Sequence, residues 1–288
     1  MERHTKSYLQ LMKPGITLSN SLSALAGFFL ATSQFGFSLT TLIGAVGGVA
    51  FVIGSACVVN NIIDRDLDKK MKRTKGREVA AGTIHVPAAI IYAVMLGIIG
   101  FGLLAAWTNW LTFALGVVAY TWYVVIYGIA KRTTPLSTII GGVCGALPLV
   151  AGYVALSGTI DTTAWILFGL MMIWQLPHFY AISIFRHSEY AQAKLPVWSV
   201  RYGTSSTKKQ IFFWVVIFAL LSPLLTLVGA TGWVYLVVML ALSLYWLYQG
   251  VRYYNKDNDE RWAKRMFGVS LVVLLAMDAV IAVGGYLP

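Results

Sequence analysis

Apolar residues along this chain gather into nine long runs, and polar residues collect in the stretches between them. The runs cover roughly 14–33, 41–63, 86–106, 109–130, 135–156, 163–185, 210–229, 232–251 and 266–286. Each is near the ~20 residues that carry a helix across a bilayer. The alternation of lipid-facing and lumen-facing residues expected of a membrane barrel is absent. The pattern therefore predicts an all-α polytopic membrane protein with nine transmembrane helices. A polar, basic stretch precedes a first run already long enough to span, so no cleavable signal peptide is expected. No linker or low-complexity segment interrupts the runs, and a single domain over residues 1–288 is expected.

Composition agrees: 58% of residues are hydrophobic and 11% charged, against ~25% charged in a soluble domain. The net charge of +11 would normally raise nucleic acid as a partner. Its distribution points to topology instead. All 22 Lys and Arg residues fall before the first run or in the loops after the second, fourth, sixth and eighth. The other loops hold none. The positive-inside rule then puts the N-terminus in the cytoplasm and the C-terminus outside. Arg3, Lys6 and Lys13 belong to this topological set. No nucleic-acid partner is expected. Cys57 and Cys144 lie inside apolar runs, where buried structural thiols are the default.

The second run ends in Asn60-Asn61-Ile62-Ile63-Asp64-Arg65-Asp66-Leu67-Asp68. Asn60, Asp64 and Asp68 are spaced by four, a step that turns only ~40° on a helix, so they share a face. Asp66 points elsewhere. Two carboxylates and an amide oxygen form a hard oxygen set suited to Mg²⁺. Seven cations lie in or just after this stretch: Arg65, Lys69, Lys70, Lys72, Arg73, Lys75 and Arg77. Oxygen ligands beside a cationic strip at a membrane surface suggest a lipid diphosphate.

A second constellation closes the sixth run. Gln175 and His178 lie about one turn apart, with Trp174, Tyr180 and Arg186 nearby and Pro177 between them. Ionisable groups inside spans are costly and usually face an interior cavity. Such a histidine is either a hydrogen-bonded packing residue or part of a site; its polar company favours the site. His187 and Glu189 lie at the interface, where simple solvation is one reading of them. A third group is Tyr120, Tyr123, Tyr127 and Lys131. Its last three members are again spaced by four. They form either an aromatic belt with a snorkelling lysine or an aromatic tunnel with a diphosphate-binding lysine at its mouth. The glycine clusters Gly44/Gly47/Gly48, Gly97/Gly100/Gly102 and Gly141/Gly142/Gly145 read as close helix packing. Asp278 is an isolated acid that pairs across the bundle or lies near the outer surface.

These motifs carry a resemblance. Lys13-Pro14-Gly15, the Asn60–Thr74 stretch, Trp174 through Ile182 with Arg186, and Arg261 through Phe267 together resemble the intramembrane, UbiA-type polyprenyltransferase superfamily, and within it the branch that farnesylates haem. One departure from the wider superfamily is visible. Where a second aspartate pair is usual, this chain offers His178 and, later, Glu189. The resemblance implies a multi-pass enzyme of the bacterial cytoplasmic (inner) membrane, active at its cytoplasmic face. Its substrates would be farnesyl diphosphate and haem B, and its products haem O and diphosphate, with water added across a porphyrin vinyl group. Haem A synthase or a terminal oxidase would be candidate partners. Asn60, Asp64 and Asp68 would hold Mg²⁺, and Lys70, Arg73, Arg77, Lys131 and Arg186 would contact diphosphate. Tyr120, Tyr123, Tyr127 and Trp174 would line the pocket. Gln175, His178 and Tyr180 would face haem or prenyl chain, with His178 either an axial ligand or a hydrogen-bond donor to the porphyrin.

Three rival readings stand beside it. A quinone-precursor prenyltransferase would use the usual second aspartate pair. A transporter gives no reason for three Mg²⁺-suited oxygens beside seven cations. A haem-carrying subunit would need paired histidines on facing helices, and only His178 lies within a span.

Overall fold

The computed structural model describes residues 2–288, with side chains from Ser7 onward. The side chains of Arg3 and Lys6, placed above on the cytoplasmic side, lie outside the described residues. Among the described residues there are nine helices long and apolar enough to cross a membrane: Pro14–Phe35, Leu39–Ile63, Val86–Trp107, Trp110–Thr133, Ser137–Ser157, Thr162–Phe185, Trp198–Leu227, Trp233–Tyr253 and Asp259–Gly284. They are numbered here as the first to ninth spans. All nine expected spans are present. The seventh and ninth begin earlier than their apolar runs. Their first turns, Trp198–Lys209 and Asp259–Arg265, are polar helix that hydropathy does not detect. The seventh is broken internally at Gly203, whose φ of 82° and ψ of 166° are not helical.

The first and fifth spans make the closest approach. A Cβ on Gly152 would sit 1.8 Å from the Ala24 carbonyl oxygen, and one on Gly27 2.0 Å from that of Leu149. Backbone-to-backbone contact of this kind needs glycine on both sides. The second and third spans meet in the same manner at Gly48 and Gly100. The sixth span is the most buried, packed between the fifth, seventh and ninth, whereas the fourth is the least buried. The eighth and ninth spans are tied to the seventh by Lys208. Its buried ammonium lies 2.9 Å from Asp259, 4.0 Å above the Tyr254 ring and 4.7 Å from that of Trp262.

A helix at Glu2–Leu11 precedes the first span. Leu11 is buried with Val58, Ala89 and Leu96, against the second and third spans. Asn61 Nδ2 donates to the Leu11 carbonyl at 2.9 Å, pinning the end of this helix beside the polar end of the second span. The long loops after the second and sixth spans also meet, through Met71 against Ala193 and Leu195. The N-terminal helix and both loops therefore converge on one end of the bundle.

Candidate active site

The second span ends at Asp64, whose backbone (φ −88°, ψ 1°) leaves the helix before the short helix Arg65–Asp68 begins. Helical continuity survives the junction, because Asp68 N–H donates to the Asp64 carbonyl at 2.8 Å. Asn60, Asp64 and Asp68 are all buried, at 4%, 6% and 3% exposure. Asp66 stands exposed, paired with Arg65 and Lys69. The face expected from the four-residue spacing is thus formed.

Each buried oxygen has a partner. Asn60 Nδ2 donates to Asp64 Oδ2 at 3.0 Å. Lys131 Nζ donates to the same oxygen. Arg132 Nη2 donates to Asp64 Oδ1 at 2.8 Å and to the Ile63 carbonyl at 2.9 Å. Arg77 Nη1 donates to both oxygens of Asp68 at 2.9 Å. Lys13 Nζ donates to Asn60 Oδ1 at 2.6 Å. Three cations pair with the two carboxylates and a fourth, Lys13, with the Asn60 oxygen, an excess of two positive charges in a partly buried cluster. Burial opposes ionisation of Asp64, but Lys131 and Arg132 outweigh it and hold the carboxyl below its usual range. Burial pushes the Lys13 ammonium down to about 8.

Lys13 and Arg132 join this cluster although sequence reasoning gave them no part in it: Arg132 was assigned only to topology, and Lys13 to topology and to the Lys-Pro-Gly motif. Lys13 adopts a left-handed backbone, φ 53°, immediately before Pro14 at the start of the first span. That conformation costs a non-glycine residue ~1–2 kcal/mol, and it turns the side chain toward Asn60. The Lys-Pro-Gly motif was the available signal. For Arg132, the signal was its adjacency to Lys131.

The other expected residues divide. Tyr123 and Tyr127 stack, with ring centroids 5.7 Å apart, and Lys131 Nζ lies 5.7 Å from the Tyr127 ring. They occupy a π-helical turn, Trp122–Tyr127, a feature frequent at functional sites. Gly141 lets the Tyr127 ring lie against the fifth span, since a Cβ there would be 2.8 Å from it. Tyr120 is separate. It lines an open apolar groove of about 490 Å³ with Ser55, Val59, Ile62 and Phe101, walled by residues of the second, third and fourth spans, several of them exposed. Arg73 is exposed and lies near Tyr190, whose hydroxyl burial pushes up. Arg186 pairs with Glu189 Oε1 at 2.7 Å, and Glu189 Oε2 is buried without a partner. Glu189 is therefore half-buried and paired rather than simply solvated. Lys70 is exposed, and no hydrogen bond or ion pair among the described residues ties it to this pocket.

At the sixth span, Gln175 and His178 serve different neighbours. Gln175 Nε2 donates to the Gly142 carbonyl of the fifth span at 3.2 Å. His178 Nδ1 meets Ser270 Oγ of the ninth at 2.8 Å. The residue that shares the face of His178 is Trp174, four positions earlier. Its indole stacks on the imidazole at 5.0 Å and donates to the Ser270 carbonyl at 2.9 Å. Tyr180 does not join them. It is fully buried beside Trp198 of the seventh span, because two residues of helix turn a side chain ~200° away. Asp278 does pair across the bundle, accepting from Ser23 Oγ at 2.9 Å.

The donor set suits a hard divalent cation: the carboxylates of Asp64 and Asp68 with the Asn60 amide oxygen. These oxygens are now satisfied by Lys131, Arg132, Arg77 and Lys13, so a metal would take them by exchange with side-chain cations. Among the described residues no group of three or more His, Cys, Asp or Glu converges as a ready-made site.

Comparison with known proteins adds to this geometry. The UbiA prenyltransferase family model matches residues 20–272. Protoheme IX farnesyltransferase 2 of Shewanella woodyi is 41% identical over 274 residues, covering 94% of each chain. The protoheme IX farnesyltransferase of Citrobacter koseri is 41% identical over 284 residues, 98% of this chain and 96% of its own. A digeranylgeranylglyceryl phosphate synthase structure superposes with a TM-score of 0.80 at 20% identity, covering 99% of both chains. A UbiA homologue from Archaeoglobus fulgidus bound to GPP and Mg²⁺ does so with a TM-score of 0.69 at 18% identity, covering 96% of this chain and 99% of its own. The structural likenesses carry the fold, and the sequence matches carry the kinship. The chain belongs to the UbiA prenyltransferase family, a class of membrane enzymes, and within it to the protohaem IX farnesyltransferases.

Proposed function

We propose that this protein transfers the farnesyl group of farnesyl diphosphate to a vinyl group of haem B, with addition of water, giving haem O and diphosphate. The observation that carries the reading is the cluster of four cations around Asn60 and two buried carboxylates, in a chain 41% identical to named protohaem IX farnesyltransferases. An excess of positive charge there suits a polyanion. Diphosphate is the group whose developing charge must be stabilised as the allylic carbon–oxygen bond breaks.

Lys13, Arg77, Lys131 and Arg132 are the nearest donors for that charge, with Arg73 and Arg186 at the rim. Asp64 and Asp68, with the Asn60 oxygen, would hold Mg²⁺, which when bound supplies further neutralisation of the leaving diphosphate. The stacked faces of Tyr123 and Tyr127 suit a developing allylic cation, an interaction worth ~2 kcal/mol or more when desolvated. The open apolar groove beside Tyr120 suits the farnesyl chain. Its wall residues Val59 and Ile62 flank Asn60 in the second span. No nucleophilic side chain is required, because the vinyl π electrons attack the allylic carbon and water captures the resulting cation.

The charge segregation supports a cytoplasmic N-terminus, an external C-terminus and a site on the cytoplasmic side of a bacterial inner membrane. One domain accounts for the whole chain. The test is incubation of purified protein with haem B, farnesyl diphosphate and Mg²⁺, followed by mass analysis of the extracted haem. A product heavier by one farnesyl group and one water is expected. Unchanged haem, with farnesylation of an added quinone precursor instead, would move the acceptor to the rival class.

A further inference from the structure

The proton arrangement around His178 fixes what its free nitrogen can do. Ser270 Oγ lies 2.6 Å from the Phe267 carbonyl oxygen and 2.8 Å from His178 Nδ1. A hydroxyl has one proton, and the carbonyl can only accept it. Ser270 must therefore accept from His178, so Nδ1 carries the imidazole proton. The other nitrogen, Nε2, is then a lone-pair site and cannot donate to a porphyrin. Nε2 has no hydrogen-bond partner among the described residues and, unlike His187 Nδ1, is not a fully buried atom, although the residue as a whole is only 9% exposed.

The ring is also held in place. Trp174 stacks on it at 5.0 Å and 30°, and Phe267 lies 4.8 Å away at 37°. Trp174 is itself anchored to the Ser270 carbonyl at 2.9 Å. Phe179, 5.1 Å from the imidazole, is 46% exposed, and Phe267 is half-buried, so an aromatic rim adjoins the histidine. A neutral imidazole that donates through Nδ1 to a fixed acceptor and leaves Nε2 free has the arrangement found at metal-ligating histidines. Among the described residues no carboxylate lies in hydrogen-bond contact with this ring. A packing role alone would not require an unpartnered nitrogen.

We propose that His178 Nε2 is an axial ligand of the haem iron when the acceptor substrate binds, and that Ser270 is the positioning residue that sets its tautomer and ring orientation. The inference rests on the haem reading above. It assigns a role to Ser270, which no sequence motif singled out.

Ferric haem B is titrated into the purified full-length protein in detergent without farnesyl diphosphate. Soret absorbance gives the affinity, and resonance Raman of the reduced complex reports the iron–histidine stretch. The wild type is expected to show that stretch. His178→Ala should lose it, and added imidazole should restore it; His178→Gln serves equally if the alanine variant does not purify as a folded protein. Ser270→Ala should keep the ligand, shift the stretch and weaken haem binding about tenfold or more, while Ser270→Thr, which keeps the hydroxyl, should recover the wild-type value. An unaltered stretch in both His178 variants overturns the assignment. A wild type without the stretch that still farnesylates haem overturns the ligand but leaves the reaction standing. A wild type that neither binds nor farnesylates haem overturns the reaction itself.

Discussion

At the mouth of the first, second and fourth spans the polar groups are charged and cross-paired. Asp64 and Asp68 are held by Lys131, Arg132 and Arg77, and Lys13 closes the set through Asn60. Between the sixth and ninth spans they are neutral. His178, Ser270 and Trp174 are held by hydrogen bonds and ring stacking, with no ion pair among them. The two clusters solve the cost of polar groups near lipid in different ways. A buried charge needs a counter-charge, and removing one partner of such a pair costs ~3–5 kcal/mol. A neutral imidazole needs only an acceptor for its proton, and one serine provides it. The first cluster is suited to exchange its internal partners for an incoming polyanion and metal. The second is suited to present one unshared nitrogen in a fixed direction.

Breaking the charged cluster should have the largest effect. Asp64→Ala and Asp68→Ala should each lower turnover by at least ~10²–10³-fold, the scale for losing a group that stabilises transition-state charge. Extracted product measured per milligram of membrane-inserted protein checks this; near-normal turnover would remove the carboxylates from the reaction. Next are Lys131→Met and Arg77→Met, expected to cost ~10²-fold and to lower thermal stability as well, because each strands a buried carboxylate. If only stability fell, these cations would be structural and not substrate contacts.

A smaller effect follows from pH. Lys13 is held near 8 by burial, below the 10.5 of a free lysine. Its cation is therefore lost as pH rises through about 8, and KM for farnesyl diphosphate should climb there, while Lys13→Arg should flatten the rise. The stability sign is opposite. Between about 8 and 10.5 the unfolded chain binds the extra proton, so this residue favours folding more as pH rises. Asp64 is shifted downward, so its pairing is complete above its unfolded value near 3.8 and is lost only as pH falls below it. The smallest effect is expected at Asp278→Asn. The replacement can still accept from Ser23, and turnover should stay within about twofold, consistent with typical sub-kilocalorie hydrogen-bond differences. A large loss there would add a third polar cluster to the two described.

Much of this was legible along the chain, for reasons of local physics. Span number follows from hydropathy, and a common face for Asn60, Asp64 and Asp68 follows from a spacing of four on one helix. Tyr123, Tyr127 and Lys131 obeyed the same rule. Spacing does not say which neighbour a face will meet. Gln175 and His178 lie one turn apart yet contact the fifth and ninth spans respectively. Tyr180, grouped with them by proximity in sequence, turns toward the seventh. Tyr120 separates from Tyr123 and Tyr127 into a groove of its own. The named glycine clusters marked some close contacts, but the tightest backbone contacts, at Gly27 and Gly152, lay outside them.

By itself the sequence determined that this is a helical membrane protein, how many times it crosses, where its cations lie, and that Asn60, Asp64 and Asp68 share one helix face. Those properties depend on transfer to lipid and on helical periodicity, both local to a segment. Only the tertiary structure decided that Lys13 and Arg132 join the carboxylates, that Lys70 stays outside, and that Ser270 sets the proton on His178. Each of these pairs residues from different helices, and the pairing is set by how the spans pack against one another.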